Sequence, residues 1–87
     1  MMYLYSVKDN VSGQFYPPEV STRDEVIIRN YSNAVNNEKN GLLYTNSSDF
    51  TLFKVGTFDD KSGEIVPCSP DFIVNLCDLK ASQYGKE

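Results

Sequence analysis

The chain has no histidine, only two cysteines, fewer cationic than anionic side chains, and no long apolar run. Each shortage removes a class of function. Without imidazole, the side chain that most often serves as a general base near neutral pH is missing. Cys68 and Cys77 alone fall short of the four ligands of a zinc site. Nor do two cysteines make a disulfide-stapled secreted scaffold, and the expectation is two buried thiols in a reducing compartment. Eight Lys and Arg against twelve Asp and Glu give a formal net charge of −4. That argues against a protein that coats or condenses nucleic acid, while leaving a local basic patch open. No stretch approaches the ~20 apolar residues of a membrane span. Residues 1–7 lack the basic start and long apolar run of a signal peptide. A soluble, cytosolic protein with no membrane partner is expected.

What is present suits one small domain. At 87 residues the chain lies near the lower limit for a single self-sufficient core. An apolar content of 40% and eleven aromatic residues are enough to build one. Some of those aromatics are expected at an interface, because small domains often complete their burial as homodimers. Residues 50–58, Phe-Thr-Leu-Phe-Lys-Val-Gly-Thr-Phe, combine aromatic and β-branched side chains and read as a strand. Asp59-Asp60-Lys61-Ser62-Gly63 supplies the turn, and residues 64–67 form a short return strand closed by Pro67. Phe50, Leu52 and Phe58 lie on one face of the long strand and Phe53 and Val55 on the other. This strand is therefore expected to be central or covered on both faces.

The first half reads the same way. Residues 2–8 make a strand, Asp9-Asn10-Val11-Ser12-Gly13 a turn, and residues 14–16 a return strand stopped by Pro17-Pro18. The segments 9–17 and 59–67 align without gaps, with Asp, Ser, Gly and Pro identical. A helix signal follows each hairpin. Thr22 with Glu25 forms a capping box, and Ile27, Tyr31, Ala34 and Val35 recur at helical spacing to about Asn36. In the second half Ser69 reads as N-cap, with Pro70 and Asp71 in the first turn and Phe72, Leu76 and Leu79 as an apolar stripe. The predicted fold is α+β, two ββα units with antiparallel hairpins packed against two helices. Residues 1–36 form the first unit, 37–49 a connecting loop, 50–80 the second unit and 81–87 a frayed tail. In the loop, Leu42-Leu43-Tyr44 reads as either a short edge strand or a hydrophobic tether.

The string at residues 50–63, Phe-Thr-Leu-Phe-Lys-Val-Gly-Thr-Phe-Asp-Asp-Lys-Ser-Gly, resembles a motif of the small nonstructural protein of gokushovirus-type microviruses, single-stranded DNA phages. Asn33-Ala34-Val35-Asn36 and Tyr5-Ser6-Val7-Lys8-Asp9 are similar to flanking parts of the same proteins, so the likeness covers most of residues 2–68. It implies a non-capsid protein of the bacterial host cytoplasm that acts in genome replication, at the switch to single-strand synthesis. It brings no catalytic residues.

The chemistry agrees with that setting. There is no phosphate-cradling glycine loop and no metal-ligand spacing, and the turn accounts for Asp59, Asp60 and Glu64. No enzyme activity, cofactor or metal is expected. Weak single-stranded DNA binding needs aromatics to stack bases and cations to follow phosphates. The candidates are Tyr3, Tyr5, Tyr16 and Tyr44, with Lys8, Arg23, Arg29 and Lys54. The alternative is an acidic homodimeric interaction module that regulates a replication protein of phage or host without contacting DNA.

Overall fold

The computed structural model describes residues 1–80. The chain runs β1 (Met2–Asp9), β2 (Gln14–Phe15), β3 (Glu19–Ser21), α1 (Asp24–Val35), α2 (Leu42–Thr45), β4 (Phe50–Phe58) and β5 (Ile65–Asn75). Short 3-10 turns occupy Glu38–Asn40, Ser47–Asp49 and Leu76–Leu79. All five strands form one antiparallel sheet in the order β2-β1-β4-β5, with β3 pairing the Tyr3–Tyr5 stretch of β1 on the same edge as β2. The class is α+β, as the patterning predicts. β4 is paired on both edges, by β1 and by β5, and is therefore central.

α1 lies on one face of this sheet. Asp24 and Glu25 occupy its first turn, where the helix dipole favours negative charge. Ile27 and Val35 recur on one side and join Tyr5, Val7, Phe50, Leu52, Leu76 and Leu79 in the core. The expected capping box does not form. The N-cap falls on Arg23, no side chain caps it, and the Ser21 hydroxyl holds the entry turn by donating to the Arg23 carbonyl at 3.1 Å. At the other end the orphan carbonyls find side-chain donors from outside the helix. Asn36 Nδ2 donates to Ser32 O (2.7 Å) and Leu79 O (2.9 Å), and Asn40 Nδ2 to Ala34 O (2.7 Å). Lys80 Nζ donates to Val35 O (3.2 Å) and Tyr44 O (2.7 Å). Leu42-Leu43-Tyr44 is a helical turn whose Leu43 packs on the core, which settles it as the tether.

The two hairpin turns are near copies. Asp9 Oδ1 accepts from the N–H of Val11 (2.9 Å) and Ser12 (3.4 Å), and Asp59 Oδ1 from Lys61 (2.9 Å) and Ser62 (3.4 Å). Gly13 and Gly63 take φ of +79° and +80°, which disfavours any side chain, and each donates to its turn's aspartate carbonyl at 2.7 Å. The Lys61 and Ser62 N–H groups hold the Asp59 carboxyl below its ordinary pKa. The repeat ends with the hairpins. The predicted second helix is absent, since β5 continues through Pro70, Asp71 and Phe72 to Asn75. Phe72-Ile73-Val74 is strongly β-forming, and Phe72 and Val74 pair with Phe53 and Leu52. The prolines are tolerated because β5 is an edge strand. Leu76 and Leu79 do reach the core, but from a 3-10 turn, where residues three apart share one side. The cysteine expectation is also corrected, because Cys68 is exposed and Cys77 only half-buried. The predicted frayed tail, 81–87, lies outside the described residues.

Candidate functional site

The face of the sheet away from α1 is its distinctive surface. Side chains alternate along a strand, and directly paired residues share a face. On β1, Tyr5 and Val7 point to the core, so Leu4, Ser6 and Lys8 point the other way. Lys8 pairs with Phe15 and Thr51, and Thr51 with Asn75, which gives a polar row. Ser6 pairs with Phe53 and Phe53 with Phe72, which gives an aromatic row. Beyond these lie Val20, Leu4, Gly56 and Pro67, and then Met2, Phe58 and Ile65. The face thus grades from polar at one end to apolar at the other.

The ring contacts agree with this register. Phe15 and Phe53 have centroids 5.7 Å apart with planes tilted by 59°, and Phe53 and Phe72 lie 6.4 Å apart at 81°. Lys8 Nζ sits 5.7 Å from the Phe15 centroid. Phe15 and Phe72 are 43% and 55% exposed, too open for core residues. No described helix packs on Phe53, which is half-buried, so β4 is central without being covered on both faces. Among the registered positions of this face Lys8 is the one charged residue, and no carboxylate stands there.

Of the eight residues singled out in the sequence, Lys8 is the one that stands on this face. Tyr5 is 1% exposed, and its hydroxyl donates to Asp24. Burial and that carboxylate push its pKa up. Lys54 faces the helix layer, 3.3 Å from Asp24 Oδ1 and 4.1 Å above the Tyr3 ring. A lysine so engaged is a clip between β4 and α1 and is poorly placed to follow phosphates. Tyr3, half-buried, packs on the core beneath it. Tyr16 is half-exposed and meets core Phe50 edge-on at 6.0 Å, on the helix side of the sheet. Tyr44 lies in α2 under Lys80 Nζ, 3.9 Å from its ring centroid. Arg23 and Arg29 are exposed, but they cap and line α1 behind the sheet. The eight are therefore scattered.

Phe15, Phe53 and Phe72 escaped the sequence reading as a group. The available signal was the alternation of β1: Ser6 and Lys8 opposite Tyr5 and Val7 mark a strand with one uncovered face. A shallow cleft between β3 and α1, lined by Glu19, Asn30, Tyr31 and Ala34, is a structural clip. There the Tyr31 hydroxyl donates to Glu19 at 2.6 Å, and burial followed by that carboxylate raises the tyrosine pKa. Among the described residues no three His, Cys, Asp or Glu converge as metal ligands, and no helix is long and apolar enough to cross a membrane.

A family model described as Phage ORF5 protein matches residues 2–79. No curated protein and no solved structure matches the chain.

Proposed function

The chain belongs to the Phage ORF5 protein family, and on that premise we propose a non-catalytic accessory factor for synthesis of a single-stranded DNA phage genome. It works in the host cytoplasm by contact of the open sheet face with single-stranded DNA. The likeness of residues 50–63 to gokushovirus-type proteins supports the microvirus setting. The observation that carries the reading is the aromatic cluster of Phe15, Phe53 and Phe72, beside a lysine, on a face whose registered positions hold no carboxylate. Planar exposed side chains on a sheet are what single strands with unstacked bases require.

The second reading places a protein on the same face, a second copy of this chain or a replication protein. It rests on the apolar far end, where Val20 and Ile65 are 45% and 59% exposed. Fluorescence anisotropy of a labelled single-stranded oligonucleotide separates the two. Micromolar binding that weakens when Phe72 becomes Ala supports DNA contact. Absence of binding at low salt rejects it and leaves the protein partner.

A further inference from the structure

We infer that the open face holds single-stranded DNA by its bases, stacked on Phe15, Phe53 and Phe72, with Lys8 as the sole phosphate contact. This rests on the proposed DNA contact and specifies its chemistry. The three rings come from β2, β4 and β5, so they form a track that crosses the strands. Their tilts of 59° and 81° keep them from stacking on one another, and the exposed rings at either end present surface to a planar ligand. Polar atoms beside the track are few. Ser6 donates its hydroxyl to the Tyr16 carbonyl at 2.6 Å, and Thr51 donates to Asn75 Oδ1 at 2.9 Å. Base planes, which all four nucleotides share, are therefore what the surface offers to recognise, and sequence preference is weak.

Charge sets the salt dependence. Most single-strand binders line their groove with cations, whereas this face has Lys8 alone. The other cations placed by the structure stand off the face: Lys54 on Asp24, Lys80 on the carbonyls of Val35 and Tyr44, Arg23 and Arg29 at the helix, and Lys39 and Lys61 in turns beyond the strands. The net charge of −4 also weakens long-range attraction of a phosphate chain to the protein as a whole. Affinity for a single strand falls with salt with a logarithmic slope of about 0.7 per neutralised phosphate. One contact therefore predicts a loss of about threefold between roughly 50 and 200 mM salt, where five contacts predict about 130-fold. Duplex DNA, whose bases are already stacked, is not bound.

The test compares a labelled oligothymidylate of about twelve nucleotides, an abasic strand of the same length and a duplex, across that salt range. Expected are binding of the oligothymidylate with a slope near that of one contact, and loss of binding to the abasic strand and the duplex. Phe72→Ala and Phe15→Ala, at exposed rings, each weaken binding by about 5- to 150-fold. Phe72→Leu, which keeps apolar bulk without the ring, weakens it as well. Lys8→Gln flattens the remaining salt slope. Equal binding of the abasic strand with a steep slope overturns the stacking inference and leaves DNA contact standing. No binding to any strand at low salt, with sedimentation showing a dimer, overturns both and assigns the face to a second copy.

Discussion

Phe50 and Phe53 sit three residues apart in β4 and face opposite sides of the sheet. Their truncation to alanine therefore measures whether the aromatic face is open in solution. Phe50 is 1% exposed and embedded in the core. Phe50→Ala should cost about 3–5 kcal/mol, the range for a buried aromatic. For 87 residues the total stability is on the order of 4–13 kcal/mol, so this variant is at or near global unfolding. Phe53 is half-buried, and its losses are the two ring contacts to Phe15 and Phe72, at about 0.5–1.5 kcal/mol each, with no place in the core cluster. Phe53→Ala should cost about 1–3 kcal/mol. Urea denaturation followed by far-UV circular dichroism, at two protein concentrations a hundredfold apart, reads both. If Phe53→Ala proves as damaging as Phe50→Ala, with a midpoint that rises with concentration, the face is buried in a dimer and the reasoning fails.

Gly56→Ala should lose about 1–3 kcal/mol in the same assay, because its Cβ would lie 2.7 Å from the Val66 carbonyl oxygen and 3.3 Å from Pro67 Cα, both fixed in β5; an unchanged midpoint would show that β5 can back away. Tyr5 and Tyr31 titrate above the ordinary phenol value of about 10 in the folded protein, so the unfolded chain gives up these protons first. Their contribution is fully present below about pH 10 and is lost as the pH rises from there toward the folded values; urea midpoints should fall on that limb, and Tyr5→Phe with Tyr31→Phe should flatten it. Lys80→Met removes donors to Val35 O and Tyr44 O and should cost about 1–2 kcal/mol. Hydrogen exchange should then quicken at the end of α1, and unchanged exchange there would show that Lys80 is not what holds that end.

Local chemistry explains what was legible in the sequence. The Asp-x-x-Ser-Gly turns fixed both hairpins because an aspartate, a serine and a positive-φ glycine satisfy the turn from within. Ile27 and Val35 marked the buried side of α1 because helical spacing needs no tertiary information. The segment after Cys68 misled because Ser-Pro-Asp is a good helix start and an equally good edge of a sheet. Pairing of Phe72 with Phe53 and of Val74 with Leu52 decided it, and no local pattern contains those partners. The site was hidden for the same reason. Phe15, Phe53 and Phe72 become neighbours through strand register, whereas Tyr5 and Lys54 looked available until α1 brought Asp24 to both.

The pairing of β1 with β4 also sets when this protein can fold. Met2 meets Phe58 and Asp9 meets Phe50, so the central ladder joins β1 to a strand made only after β2, β3, α1 and α2. On the ribosome, the first hairpin and α1 emerge with Tyr5, Val7 and Ile27 unburied and wait for β4, then for Leu76 and Leu79, to close over them. Contacts so distant in sequence carry a large loop-closure entropy and slow the search. The twin turns, closed by their own side chains, are the parts able to form early. They leave a nascent chain that holds two preformed corners before its middle is joined.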